Sequence, residues 1–203
     1  MVESIVNWIL TNSFELFGSI SGLIYIFLSI RQNIWLWPIG FISSGLSFIV
    51  FFQSKLYADM FLQVYYLIIS IYGFYHWFAF KNKNNMQIES ELPVKTLNPL
   101  KIGYYIVLTL ITTFPCWYIF SHYTDASAPL IDSFVSAGSI VATWMLAQKH
   151  LQNWIFWIVI DSISAILFVY KSLYFFAGLF VIYTIMAIIG YKKWEKKLII
   201  EKA

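Results

Sequence analysis

Hydrophobic positions in this chain fall in long runs broken by short polar stretches. Mostly apolar runs occupy 16–30, 34–52, 57–80, 101–121, 129–147, 153–170 and 174–191, most of them close to the roughly 20 residues that a membrane-crossing helix needs. The breaks RQN, QSK, HYTDAS, AQKHLQN and KS leave room for little more than a turn, so consecutive helices should be antiparallel neighbours. Only KNKNNMQIESELPVKTLNP is long enough to form a surface loop. The pattern predicts an all-α polytopic membrane protein with seven transmembrane helices, in a single transmembrane domain over 1–203.

Composition makes the bilayer a requirement. Hydrophobic residues are 60% of the chain and charged ones only 11%, with mean hydropathy +0.72, whereas a soluble domain carries about 25% charge. So few charges could not cover the surface of a soluble domain this size. The net charge of +3 is too small for a nucleic-acid footprint. Its distribution carries more information. With seven spans, Arg31, Lys81, Lys83, Lys95, Lys101, Lys149, Lys192, Lys193, Lys196, Lys197 and Lys202 share one face, against Lys55 and Lys171 on the other. The positive-inside rule then puts the N-terminus outside and the C-terminus in the cytoplasm. The first 18 residues lack a basic leader and carry Glu3 and Glu15, so the first span is expected to be retained. The single cysteine, Cys116, reads as a packing residue, and no metal site is expected.

The chain also resembles itself. At a shift of 120, Gly18, Ser19, Ile20, Gln32, Asn33 and Trp37 match Gly138, Ser139, Ile140, Gln152, Asn153 and Trp157. Past a short gap the shift becomes 117, pairing Leu56, Tyr57, Tyr66, Gly73 and Trp77 with Leu173, Tyr174, Tyr183, Gly190 and Trp194. This predicts a parallel 3+1+3 repeat: 16–80 as the first three-helix unit, 101–121 as a linker helix, 129–191 as the second. In transporters so built, the substrate site lies between the halves near mid-membrane.

Polar residues inside the spans mark the candidate site. Asp59, Gln63, Tyr66 and Ser70 share one face of the third span, and Asp132, Ser136, Ser139 and Thr143 one face of the fifth. The sixth adds Trp154, Trp157, Asp161 and Ser164; the second adds Trp37, Gly40, Ser44 and Ser47. Small stripes more often serve helix packing, and Trp35, Trp77 and Trp194, near span ends, read as interfacial anchors. Asp59 and Asp132 lie close to water, where a structural role fits as well as a functional one. Asp161 is deeper. A mid-span carboxylate costs at least about 2.5 kcal/mol to insert, and no cation is available at that depth in sequence, so a bound cation, a proton or a hydrogen-bond network must compensate it. Two tryptophans one turn from a carboxylate suit a flat organic cation, or a neutral ring whose hydroxyls need an acceptor; spacing leaves both open. At the shift of 120, the position matching Asp161 is Phe41, so the acid belongs to one half.

The stretches QNIWLWPIG, KLYADMFLQVYYLIISIYGFYHW and LQNWIFWIVIDSISAILFVYKSLY are similar to the PnuC family of vitamin transporters, over roughly 16–194. The resemblance implies a full-length SWEET-like fold of seven helices in the bacterial inner (plasma) membrane. It implies facilitated diffusion of a vitamin precursor, trapped by cytoplasmic phosphorylation, with no cofactor, ATP site or coupling ion. Such a family admits a homotrimer. Its Trp-x-x-Trp-x-x-x-Asn/Asp pattern falls on Trp154, Trp157 and Asp161, and its Leu-Gln segment on Gln63; Tyr66 and Tyr183 extend the set through the repeat, with Asp59 and Trp37 completing it. Where nicotinamide riboside transporters of the family carry Asn, this chain has Asp161. Nicotinamide riboside is the first substrate implied and thiamine, the cargo of PnuT relatives, the alternative; both rings are cationic. A proton-coupled symporter would use Asp161 as its titrating group. An intramembrane enzyme would need a catalytic constellation at depth, yet His76, His122 and His150 fall near interfaces and no HExxH or Ser-His arrangement occurs. A purely structural or signalling protein should lack the interior acid and its aromatic pair.

Overall fold

The computed structural model describes residues 13–53, 57–83 and 92–202. Among these the chain forms α1 (Ser13–Ile30), α2 (Leu36–Gln53), α3 (Tyr57–Lys83), α4 (Pro99–Tyr123), α5 (Pro129–Ala147), α6 (Asn153–Tyr170) and α7 (Tyr174–Lys202). Each helix overlays one apolar run, and α7 continues well past its run through the lysine-rich tail. Among the described residues, α2, α4, α5, α6 and α7 are long and apolar enough to cross a membrane, and α1 contributes the shorter apolar stretch Phe17–Ile30. The chain is thus a multi-pass membrane protein. Helix α3 is long enough at 27 residues, but its tyrosines, Gln63, His76 and Trp77 lower its mean hydropathy. Of these, Gln63 and Tyr66 face the interior and Trp77 is buried, whereas Tyr72 and Tyr75 are exposed.

Local chemistry sets the helix ends. The Asn98 side chain caps α4 by accepting the Lys101 backbone N–H at 2.9 Å, and Pro99 begins the first turn. Helices α1, α5 and α6 end alike: Gln32, Lys149 and Ser172 take left-handed φ values of 56°, 53° and 60°. The N–H of each following residue then reaches back five positions, Asn33 to Leu28, His150 to Met145 and Leu173 to Phe168, at 2.8–2.9 Å. This is the Schellman closure, made without the usual glycine and so at a cost of about 1–2 kcal/mol per turn.

Helix α2 packs on α3, α6 on α7 and α4 on α5, while α1 meets α7 and α3 meets α5. The last two pairings cross between the N-terminal and C-terminal halves, and tryptophans tie them reciprocally. Trp77 Nε1 donates to the Ala147 carbonyl at 3.0 Å, and Trp194 Nε1 donates to the Ser29 carbonyl at 3.2 Å. Both rings are buried, so neither is the interfacial anchor expected from its place near a span end; Trp35, 64% exposed, keeps its surface position. Trp37 stands edge-on to Trp77 at 5.6 Å and Trp154 edge-on to Trp194 at 5.5 Å. Trp37 lies in the slot left by Gly73, and Trp154 in that left by Gly190.

These two sets of three are related by a constant spacing of 117, which corrects the register of the middle helices. Trp37 corresponds to Trp154, not Trp157; Gly40 corresponds to Trp157; the counterpart of Asp161 is Ser44, not Phe41. Identical letters in QN-x-x-x-W drew the shift of 120, whereas the ring that must fill the glycine slot fixes the shift of 117. The left-handed pair Gln32 and Lys149 obeys the same spacing.

The long loop is partly a docked strap. Leu92, Val94 and Leu97 are buried, the Lys95 N–H donates to the Lys149 carbonyl, and the Leu151 N–H donates to the Lys95 carbonyl, both at 2.9 Å. It presses on the α5–α6 turn, where burial, with Lys95 and Lys101 nearby, pushes the His150 imidazole down to about 4. Lys149 in that turn is 1% exposed; its Nζ donates to Gln32 Oε1 at 3.0 Å and lies 4.4 Å from the Trp77 ring centroid. A charge-assisted hydrogen bond contributes about 1.5–3 kcal/mol. Lys149→Ala should therefore lower the thermal midpoint of the purified protein by roughly 3–12 °C, at about 2–4 °C per kcal/mol for a chain of this size. Lys95→Ala, whose side chain is exposed, should move it little.

Candidate functional site

Two cavities meet between the halves. One, of about 520 Å³, has Ser29, Leu146 and Trp154 at one end and Trp157, Asp161 and Tyr183 above them. The other, of about 690 Å³, runs on past Gly40, Gln63, Tyr66 and Thr143. Gly22, Tyr25 and Trp157 line both, which makes them one cleft. Helix direction orders its depth. Gly18 and Gln63 lie toward the ends of α1 and α3 nearer Ser13 and Tyr57, while Ser29 and Leu146 lie in the floor, beside the Trp194 and Trp77 cross-links.

The residues have different jobs. Asp161 is 3% exposed, one turn along α6 from Trp157, so ring and carboxylate face the same space. Tyr66 and Tyr183, at the spacing of 117, approach Asp161 from opposite halves, close enough for its charge to act on both phenols. The Tyr66 hydroxyl stands near Ser139 of the other half. Tyr183 reaches the Ser19 carbonyl at 3.5 Å and passes directly over Gly22, where any side chain would collide with its hydroxyl. Gly22 thus serves close approach, not backbone conformation.

Of the residues expected at the site, Trp157, Asp161, Gln63, Tyr66 and Tyr183 line the cleft, and Trp154 does so as part of its floor. Trp154 is 1% exposed and committed to Gly190 and Trp194, which makes it a packing residue first. Trp37 does not line the cleft; it fills the equivalent slot in the other half. The Asp59 side chain lies outside the described residues. Asp132 is drawn away from the cleft by a 2.8 Å ion pair with Lys171. Tyr25 and Gly22 were missed in sequence although Gly18, Ser21, Gly22, Tyr25 and Ser29 form a small and polar stripe at helical spacing along α1, the same signal that marked the other cleft-lining helices. Among the described residues no cluster of His, Cys, Asp and Glu could hold a metal ion.

An apolar bundle enclosing a cleft lined with rings and the buried acid Asp161, between halves that clasp each other reciprocally, has the build of a small-solute membrane transporter. Residues 12–196 match the family described as Nicotinamide mononucleotide transporter, and the chain belongs to that family. It is 29% identical over 216 aligned positions to the nicotinamide riboside transporter PnuC of Escherichia coli K12, covering 93% of this chain and 85% of that one. It is 26% identical over 200 positions to the riboflavin/roseoflavin transporter RibM of Streptomyces davaonensis, covering 93% and 92%. A crystal structure described as that of the vitamin B3 transporter PnuC shares the fold, with a TM-score of 0.73 and 19% identity, over 97% of this chain and 87% of that one.

Proposed function

We propose that the protein takes up nicotinamide riboside by facilitated diffusion through this cleft, the cargo then being trapped by phosphorylation in the cytoplasm. The observation that carries this reading is the pairing of the Trp157 ring with the buried Asp161 carboxylate in a cleft between the halves, in a chain whose relatives are named as transporters. A pyridinium ring can stack on Trp157, and Asp161 can meet either its charge or the ribose hydroxyls, with Gln63, Tyr66 and Tyr183 offering further polar contacts.

The architecture belongs to the same reading: seven transmembrane helices in a 3+1+3 parallel repeat of SWEET-like type, one domain built from 16–80, 101–121 and 129–191. The reciprocal tryptophan cross-links support it. The positive-inside asymmetry supports a plasma-membrane protein with its N-terminus outside and C-terminus in the cytoplasm. The exposed apolar residues of α4, such as Leu110, Ile111 and Phe114, suit lipid or the neighbour in a homotrimer. A second reading, thiamine, is favoured by one observation: Asp161 stands where the riboside pattern has Asn, and a permanent thiazolium cation suits a carboxylate.

Titrating purified protein with nicotinamide riboside, thiamine and riboflavin, read by tryptophan fluorescence, tests the substrate. The riboside should bind tightest. Trp157→Ala should weaken it by roughly 5–30-fold, since a cation over a desolvated indole is worth about 1–2 kcal/mol. Tightest binding of thiamine would replace the first reading with the second; unchanged affinity in Trp157→Ala would remove the cleft as the site.

A further inference from the structure

Outside the transport cleft, the ends of α1 and α7 border a wide cavity open to solvent. Four cationic side chains line it, Arg31 from the end of α1 and Lys193, Lys196 and Lys197 from α7, together with Gln32 and the apolar Ile30 and Ile200. Among the described lining residues there is no carboxylate. Spacings of three, four and seven from Lys193 put Lys196, Lys197 and Ile200 on one face of α7. Like charges so spaced repel, and Arg31 adds a fourth from the opposite wall. The neutral Gln32 Oε1 accepts from Lys149 at 3.0 Å and from Lys197 at 3.5 Å, which brings another ammonium group to the same spot. An anion seated among them turns this repulsion into attraction.

We propose that this cavity binds the phosphate group of an anionic membrane lipid. Two observations favour a lipid over a soluble phosphate ester. Helix α7 has 29 residues, about 43 Å at 1.5 Å per residue, against a hydrocarbon core of about 30 Å. If Tyr174 starts at one boundary of that core, Lys193 to Lys197 stand at the opposite headgroup level. Apolar surface also adjoins the charges: Ile200 and Phe27 are exposed, and the Arg31 guanidinium lies 4.4 Å above the Phe27 ring, so an acyl chain can run beside the phosphate it carries.

The test uses the full-length protein in a neutral detergent, titrated with phosphatidylglycerol, phosphatidylcholine or glycerol 3-phosphate and followed by thermal midpoint and native mass spectrometry. Phosphatidylglycerol should bind and raise the midpoint at concentrations where the other two do neither, less so at high salt. Lys193→Gln with Lys196→Gln should weaken that binding on the order of tenfold or more; both side chains are exposed, so the lipid-free midpoint should stay near that of the parent. Arg31→Gln, on the opposite wall, should weaken it too. Equal binding of phosphatidylcholine, equal binding of glycerol 3-phosphate, or undiminished lipid affinity in both variants would each overturn the proposal.

Discussion

Asp161→Ala is expected to weaken nicotinamide riboside binding by about 10–100-fold, the range implied by losing one charge-assisted contact of about 1.5–3 kcal/mol. The same substitution should leave the ligand-free protein as stable as before, or more so, because burying a carboxylate at 3% exposure opposes folding. The two readouts therefore move apart, which separates this change from general damage. Asp161→Asn divides the contact further. The amide keeps one acceptor oxygen and loses the charge, so an intermediate loss, roughly tenfold, identifies the carboxylate as both counter-charge and acceptor. A loss equal to that in Asp161→Ala would assign the whole effect to charge. Dissociation constants from tryptophan quenching, with thermal midpoints without ligand, check all three; unchanged affinity in both variants would exclude Asp161 from the site.

Helix placement was legible because runs this apolar have one stable arrangement in lipid, the hydrogen-bonded helix. The depth of Asp161 was legible for a related reason: sequence position along a span reports distance from water, and the cations all mapped to interfaces. What letters could not carry was shape. Trp37 and Trp157 looked equivalent because Gln and Asn precede both at equal distance; only the glycine that admits a ring shows that Trp37 pairs with Trp154, and so that Ser44 answers Asp161. Lys149 read as an ordinary interfacial lysine, yet the left-handed turn at its own backbone brings its side chain inward onto Gln32 and Trp77. Trp77 and Trp194 read as surface anchors because their spans end there, whereas the two halves close over them. Tyr25 did carry a signal, since Ser21 and Ser29 stand one turn to either side of it, but small residues on an apolar helix are written alike whether they serve a cleft or helix packing.

Gly73→Ala and Gly190→Ala should each destabilise the protein markedly, and by similar amounts. A Cβ at Gly190 would stand 2.7 Å from three ring atoms of Trp154, and one at Gly73 would meet the six-membered ring of Trp37 at least as closely. Neither neighbour has a flexible end to swing aside: Trp37 and Trp154 are 1% exposed, each with a second indole packed edge-on against it. The helices must separate instead, and overpacking of this kind costs about 1–3 kcal/mol, occasionally more. Helix separation here also disturbs the reciprocal hydrogen bonds of Trp77 and Trp194, so the upper part of that range is expected, a fall of roughly 6–12 °C in thermal midpoint. Gly22→Ala is the contrast. There the obstacle is the Tyr183 hydroxyl, the far end of a side chain that can turn toward the cleft. The midpoint should move by a degree or two while riboside affinity falls, because the displaced phenol enters the space the ligand uses. A Gly190→Ala protein as stable as its parent would show that α6 and α7 can part without cost, and would remove the physical basis for reading the two halves in a register of 117.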